Sequence, residues 1–516
     1  MPKTKDLFVD QGATFDKFYI HVPICNPSRS TTLTGRYLHN IKGVDTKWAA
    51  MHVDMNNVHN RSFAVRLKRL GYTVGLFGKY LNAIPGTNVS KSGAYVPEGF
   101  DAWMANGGGT YVAPEFATYG LEEASGIPDG AIRYDDDPSN YSTSVIGNTS
   151  IGWIRHVVRS NPEQPFFAYI APKAAHEPFL PPIWYRDTWF DHWPETEPRP
   201  INWNCSYASR AHHAGVVATN SMITEEAAEV ITGTFKNRWR SLLAVDDLIA
   251  DVVDVIEREL GLADTTHFFY SSDHGFQLGN FNVLMDKRHV YEWNTRIHLV
   301  VRSPLVTSAV RIPYPATNVD LAPTFVHLAE GSSSCDETTG VCAGGSDSSD
   351  PNTNAPFDGR SLVPLLTNTV NDDAWRRDVF IEYYYNDPNV KCVTNCQTTG
   401  REYPRADAQC AELDTLPNNL CWSPVCNQTC YPTENAMNNF IAIRRFDDDL
   451  LYAEYAIGNQ SKADINFSKP DFYEVFNATR DVWMMDNLWP LDDSNLSKKL
   501  HMELHSWFHC KGITCP

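Results

Sequence analysis

Three short apolar runs, each stopping abruptly at chemically capable residues, constrain this chain more than any other feature. "TVGLFGKYLN" carries Val74 to Phe77 into Lys79, "PFFAYIAPKAAHEPF" carries Phe166 to Ile170 into His176, and "HFFYSSDHG" carries Phe268 to Tyr270 into Asp273 and His274. Unbroken apolar runs of this length suit strands buried on both faces, as in parallel sheets. In such sheets functional groups gather beyond the carboxyl ends of the strands, where these polar residues fall. Between the runs lies "FKNRWRSLLAVDDLIADVVDVIEREL", whose Leu242, Val245, Leu248, Ile249, Val252, Ile256 and Leu260 make an apolar stripe at helical spacing. Alternation of strand and helix through residue 330 predicts a doubly wound α/β sheet.

At 516 residues the chain exceeds what one hydrophobic core organises, so a second, smaller unit is expected. Residues 1–330 read as a catalytic domain. A Gly/Ser/Asp-rich stretch, "GSSSCDETTGVCAGGSDSSDPNTNAPF", opens a loop and connecting segment over 331–375, in which Cys335 and Cys342 are close enough in sequence to bridge. Over 376–516 the strand-like runs "DVFIEYYY", "NFIAIRRF" and "LLYAEYAI" predict a C-terminal antiparallel-sheet subdomain with little helix until its end. There is no internal repeat.

Ten of the 12 cysteines lie after residue 330: Cys335, Cys342, Cys392, Cys396, Cys410, Cys421, Cys426, Cys430, Cys510 and Cys515. An even, clustered set reads as a disulfide framework from an oxidising compartment. Zinc ligation by Cys392/Cys396 and Cys426/Cys430 stays open as the competing reading. Ten glycosylation sequons, at Asn60, Asn88, Asn140, Asn148, Asn204, Asn427, Asn459, Asn466, Asn477 and Asn495, point the same way. No apolar run approaches the roughly 20 residues that span a bilayer. The net charge of −19 argues against broad attraction to nucleic acid or anionic membranes. An anionic substrate would need a local basic pocket working against that field.

Cys25 stands apart from the late cysteines, in "ICNPSRSTTLTGRYLHN". Cys-x-Pro-Ser-Arg followed by Leu-Thr-Gly-Arg, here Cys25, Pro27, Ser28, Arg29, Leu33, Thr34, Gly35 and Arg36, resembles the signature of the sulfatase family. "GLFGKYLN", "APKAAHEPF", "SSDHGFQLGNF", "DKRHVYE" and "DGRSLVPLL" follow in the order sulfatases have them. The form Gly78-Lys79-Tyr80-Leu81-Asn82, with "KNRWRSLLAVDDLI", is most similar to the N-acetylglucosamine-6-sulfatase and heparan 6-O-endosulfatase group.

The resemblance implies an alkaline-phosphatase-like fold and hydrolysis of sulfate esters, with the 6-O-sulfate of N-acetylglucosamine or a related sulfated glycan as substrate. It implies that a formylglycine-generating enzyme oxidises Cys25 to formylglycine (3-oxoalanine). One hydroxyl of the hydrated aldehyde attacks sulfur, and deprotonating the other expels sulfate and restores the aldehyde. A serine could perform only the first half. Lys79, His176 and Lys287 match the positions that hold the sulfate, whose charge must be neutralised before attack. Arg29 falls beside the aldehyde, and a helix beginning after Cys25 would add positive charge from its free N–H groups. Asp273 and His274 match ligands of a calcium ion that also contacts the hydrate at Cys25. His is the less usual calcium ligand of the two.

Two departures from the family pattern stand out. Leu81 and Asn82 replace a histidine that many sulfatases carry after the lysine, leaving protonation of the leaving group to His176 or an unassigned residue. The family's first strand, with two adjacent aspartates that complete the calcium site, has no counterpart before Met1. "MPKTKDLFVDQGATFDKFYI" also lacks the apolar core of a secretory leader, although a lysosomal or secreted location follows from the cysteines and sequons. The expectation is therefore a chain without its N-terminal segment, one that binds calcium weakly as written. The alternatives are a catalytically silent sulfated-glycan-binding protein on the same scaffold, an arylsulfatase of different range, or an arylphosphatase-like hydrolase. Asp135–Asp137 and Asp447–Asp449 read as solvated loops, Asp246 and Asp247 as structural, and His212 and His213 as a surface loop.

Overall fold

In the computed structural model, Thr73–Lys79 (β2) is a strand buried along nearly its whole length. It runs parallel to both Ala102–Asn106 (β3) and Phe166–Ala171 (β6). Glu115–Tyr119 (β4) and Gly130–Arg133 (β5) extend this sheet antiparallel, giving the order β5-β4-β3-β2-β6. The structure describes residues 1–43, 53–82, 96–342, 356–385, 390–393, 420–422, 430–458 and 465–516.

A second sheet is built on Ala13–Tyr19 (β1), which pairs parallel with Val310–Thr317 (β10). Leu299–Arg302 (β9) runs antiparallel to β1 and to Phe268–Ser271 (β7), so the order is β10-β1-β9-β7, with Arg296–Ile297 (β8) pairing β1. The expected doubly wound pattern thus resolves into two mixed sheets. Strands β6 and β7 are the terminal strands of their sheets, each with one ladder partner. Both are apolar by sequence, yet most of their residues are only half-buried, because their outer edges line a common cavity of about 1350 Å³.

Helices Cys25–Thr34 (α1), Ser142–Ser160 (α2), Glu225–Asp254 (α3) and Leu321–Glu330 (α4) cover the sheets, and Ser494–Phe508 (α5) follows near the end of the chain. On one face of the β2–β6 pair, Phe77 packs against Trp153 of α2, and Ile146 and Ile154 meet Leu248 and Val252 of α3. On the other face Phe63, Phe167 and Phe325 form a triangle of edge-on and tilted rings. Apolar burial on both faces is what the unbroken runs demand, at roughly 1.5–3 kcal/mol per large side chain.

Asp378–Tyr383 (β11), Phe440–Arg445 (β15), Leu450–Tyr455 (β16) and Phe472–Asn477 (β17) form the antiparallel sheet expected at the C-terminal end. Between them Val390–Val393 (β12), Leu420–Trp422 (β13) and Cys430–Pro432 (β14) make a small three-stranded sheet. The four-stranded sheet docks on the first part of the chain through Glu382. Its backbone N–H donates to the carbonyl of His21 at 3.0 Å, and its buried carboxylate bonds His21 at 2.9 Å and the His39 backbone N–H at 2.7 Å.

Candidate active site

Cys25 is the first residue of α1, following Ile24 in extended conformation, and it is buried. The helix it starts is rich in Ser and Thr, yet all ten of its residues are buried. The hydroxyls satisfy themselves: Thr31 and Thr32 donate to the carbonyl of Ser28, and Thr34 to that of Ser30, at 2.8–3.0 Å. The Asn318 amide threads the same cluster, donating to the Ser28 carbonyl and to both threonine hydroxyls at 3.0 Å. Gly35 ends the helix with φ +62°, a left-handed cap suited to glycine. Its carbonyl accepts from the backbone of Asp358 and Gly359 at 2.9 and 3.2 Å, joining the Thr-Gly-Arg and Asp-Gly-Arg motifs.

Cations surround the Cys25 sulfur. Lys79 Nζ lies 3.9 Å from Sγ at the end of β2, and His274 Nε2 lies 3.2 Å from it. Gly78 makes the placement of Lys79 achievable: its φ is +109°, and a Cβ there would stand 2.1 Å from the Ala171 carbonyl oxygen. His176, beyond β6, stands close enough to the same sulfur to favour its ionised form. Lys287 is nearly buried, and its backbone N–H donates to Asp286 at 2.9 Å. Asp286 pairs in turn with Arg288 Nε at 3.3 Å, and Arg288 with the buried Glu434, which pins the Lys287 loop to the C-terminal region. Within α1, Arg29 donates to Asn82 Oδ1 at 2.6 Å and stands 3.9 Å from Asp273.

The electrostatic balance follows from this crowding. Burial pushes the Cys25 thiol up, but Lys79, Lys287 and His274 outweigh it and hold the thiol well below its usual range. Burial lowers Lys79, opposed by Cys25. Burial and then Lys79 hold His176 well below the ordinary imidazole value, so it rests neutral. Lys287 is raised: burial works against its charge, but Cys25, Asp286 and Glu177 outweigh that. A locally cationic pocket therefore exists within a chain of net charge −19.

The structure brings Cys25, Arg29, Lys79, His176, Lys287, Asp273 and His274 into one place. Donor atoms of Cys25, Asp273 and His274 lie within 4.8 Å of one another. Calcium takes about six to eight oxygens, and this triad offers one carboxylate, one imidazole and the position at Cys25. This triad by itself therefore falls short of a calcium shell. Formylglycine fits better, since an oxyanion at position 25 would replace the thiolate that the same cations already favour.

Sequence reasoning missed three residues here. Asn82, noted only as a departure, also accepts the Arg29 guanidinium, and its backbone N–H donates to Asn26 Oδ1 at 2.9 Å. Arg238 on α3 donates to the Ala175 carbonyl at 2.8 Å beside His176, and its guanidinium stacks on Phe276 at 4.2 Å. Lys173 donates to the Gly109 carbonyl at 2.6 Å in the same cleft. Spacing carried no signal for Arg238 and Lys173, because their roles depend on contacts between distant segments.

His213 corrects one expectation. It is buried, bonds the Met484 carbonyl at 2.7 Å and stacks on Phe476, so it belongs to the core and not to a surface loop. Asp135–Asp137 are exposed, as expected of a solvated loop. Asp246 is structural, accepting the backbone N–H of Lys3 and Thr4 at 3.1 and 2.7 Å. Cys335–Cys342 and Cys510–Cys515 are disulfides, while Cys25 and Cys205 are free. The side chains of the other six late cysteines, and Asn88, Asn427 and Asn459, lie outside the described residues.

Comparison with known proteins agrees with this geometry. The family model Sulfatase matches residues 1–332. The chain is 28% identical to human N-acetylglucosamine-6-sulfatase over 100% of this chain and 82% of that protein. It is 28% identical to an extracellular sulfatase SULF-1 homolog of Drosophila melanogaster over 74% of this chain and 31% of that one. A solved structure of a protein with its substrate D-glucosamine-2-N,6-O-disulfate aligns with TM-score 0.63 at 19% identity, covering 98% of this chain and 91% of the other. The phosphonate monoester hydrolase of Agrobacterium radiobacter aligns with TM-score 0.60 at 15% identity, over 97% and 89%. The two solved structures share the fold, and the family match goes further: this chain belongs to the sulfatase family and is a sulfuric ester hydrolase.

Proposed function

We propose that the chain removes the 6-O-sulfate from N-acetylglucosamine or a closely related sulfated glycan, using formylglycine at position 25. The observation carrying this reading is the ring of Lys79, His176, His274 and Lys287 around the Cys25 sulfur. Oxidised and hydrated, Cys25 would supply the attacking hydroxyl and the second hydroxyl needed for release. Lys79 and Lys287 bind the sulfate oxygens and neutralise them in a buried site, where charge is strongly felt. Arg29, fixed by Asn82, favours the ionised oxygen at position 25. His176, buried beside position 25, is the residue assigned to pass a proton to the departing alcohol. Asp273 and His274 would be the donors nearest a metal held beside position 25.

The relative named N-acetylglucosamine-6-sulfatase supports the sugar assignment. Residues 1–330 carry the chemistry, and 376–516 support it through Glu434 and Glu382. Among the described residues no helix is long and apolar enough to cross a membrane. Passage through the secretory route, to the lysosome or outside the cell, suits the disulfides and the sequons. The deciding assay compares 6-sulfated glucosamine, aryl sulfates and polymeric heparan as substrates. Turnover of the monosaccharide supports the proposal; turnover of aryl sulfates alone, or only within long chains, overturns the sugar assignment.

A further inference from the structure

Two groups of metal-capable side chains occur among the described residues, and one of them lies outside the active site. Glu454 sits on β16 with its carboxylate fully buried, in the four-stranded C-terminal sheet. Across from it, α5 presents His501 and His505, four residues apart and therefore on one helical face. His501 Nδ1 lies 2.7 Å from Glu454 Oε1, and His505 Nε2 lies 2.9 Å from Oε2. The two imidazole rings stand 4.1 Å apart. We propose that Glu454, His501 and His505 form a binding site for a borderline divalent ion of the zinc type.

Donor chemistry decides the metal class. Two imidazoles and one carboxylate suit zinc and its first-row neighbours, whereas calcium and magnesium prefer oxygen alone. Two histidines at i and i+4 with a carboxylate from another element is a spacing that zinc sites use. Ligand atoms on a tetrahedral zinc with bonds of about 2.1 Å stand about 3.4 Å apart. The two hydrogen-bonded pairs need to open by only about 0.6 Å to admit the ion, with the shared protons released.

The surroundings are those of a supported site. The Tyr452 hydroxyl donates to Glu454 Oε1 at 2.6 Å, fixing the carboxylate from behind. The ion-pair partners recorded for Glu454 among the described residues are these two histidines. A buried carboxylate held by two imidazoles is a place where a divalent ion adds charge compensation. His501 is 42% exposed, which gives the ion an entry path and leaves a fourth position for water. Leu500, Leu504 and Trp507 bury the adjacent face of α5, so the ligand-bearing helix is anchored independently of metal.

The test is zinc content and cobalt spectroscopy on the full chain after dialysis against each ion. The unaltered protein should hold one more equivalent of zinc than His501→Ala or His505→Ala, and cobalt should give tetrahedral absorption bands lost in both variants. Tyr452→Phe should weaken zinc binding about 10- to 100-fold. Asp273→Asn, which alters the active-site donors, should leave this equivalent in place. Far-UV circular dichroism checks the variants, and the exposed His501 makes His501→Ala the one that keeps its fold. Equal zinc content in the unaltered chain and His501→Ala overturns the site, as does uptake of calcium in preference to zinc. Either result reduces the cluster to a hydrogen-bonded carboxylate.

Discussion

Arg29 and Asn82 meet at 2.6 Å, guanidinium to amide oxygen, and so tie the helix that begins with Cys25 to the turn that follows Lys79. The backbone of Asn82 returns the contact through Asn26 at 2.9 Å. Asn82→Ala should therefore lower kcat about tenfold with little change in KM, since it loosens Arg29 without removing charge. Arg29→Ala should cost about 10²–10³ in kcat, the scale of one lost transition-state donor. Steady-state kinetics on a soluble sulfate ester measures both, and equal losses would show that Arg29 does not act through its own charge.

Lys79→Ala and Lys287→Ala each remove one of the two cations proposed to hold the sulfate beside Cys25. Each should reduce kcat/KM by about 10²-fold or more. The double variant should fall well short of the product of the two, because partners in one charge network are not additive. Additive losses would place the two lysines on independent tasks.

Cys25 should be found as an aldehyde when the chain is made in a host with a competent maturation system. Peptide mass analysis with hydrazide labelling detects it. Cys25→Ala should abolish turnover while leaving the fold intact. An unmodified thiol throughout would favour a silent sulfated-glycan-binding protein.

His289 is fully buried, and burial takes its imidazole down to about 4, partly offset by a bond to the Thr433 carbonyl. Its folded value lies below the unfolded value of about 6.5. The unfolded chain then binds a proton that the folded chain refuses, so stability falls as pH drops from about 6.5 toward 4. The full shift is worth up to about 3 kcal/mol. Urea unfolding at pH 7 and pH 4.5 should show a smaller acid loss in His289→Gln than in the unaltered protein. An identical loss in both would remove His289 from the account.

Cys335–Cys342 and Cys510–Cys515 close short loops, with sequence separations of 7 and 5. Under denaturing, non-reducing conditions these four cysteines should resist alkylation, while Cys205 should react. Glycosidase treatment of protein from a secretory host should shift its mass, with exposed Asn60, Asn148, Asn466 and Asn495 as acceptors. Free thiols at all ten late positions would contradict passage through an oxidising compartment.

Much of this was legible in the residues. The runs Val74 to Phe77, Phe166 to Ile170 and Phe268 to Tyr270 became β2, β6 and β7, because continuous apolar sequence has few other uses in a short segment. Cys25 opening a helix was readable from its Asn-Pro-Ser-Arg context, since Pro is tolerated only in a first helical turn. The half-buried faces of β6 and β7 were not legible, because edge position depends on pairing and not on composition. Nor was His213, whose burial is set by Phe281 and Phe476 arriving from distant segments. Glu454, His501 and His505 escaped for the same reason: the carboxylate and the helix lie 47 residues apart.

The groups proposed to react are shared between two sheets that exchange no ladder hydrogen bonds among the described strands. Cys25, Asp273 and His274 ride on one plate, and Lys79 and His176 on the other. Their spacing is thus held by side chains such as the Arg29–Asn82 pair and by the helices that lap over both. Pushing the plates apart would disperse the cations without disturbing either sheet, and drawing them together would concentrate positive charge on the sulfur. The geometry of the cationic pocket thus depends on what spans the cavity between the edges of β6 and β7.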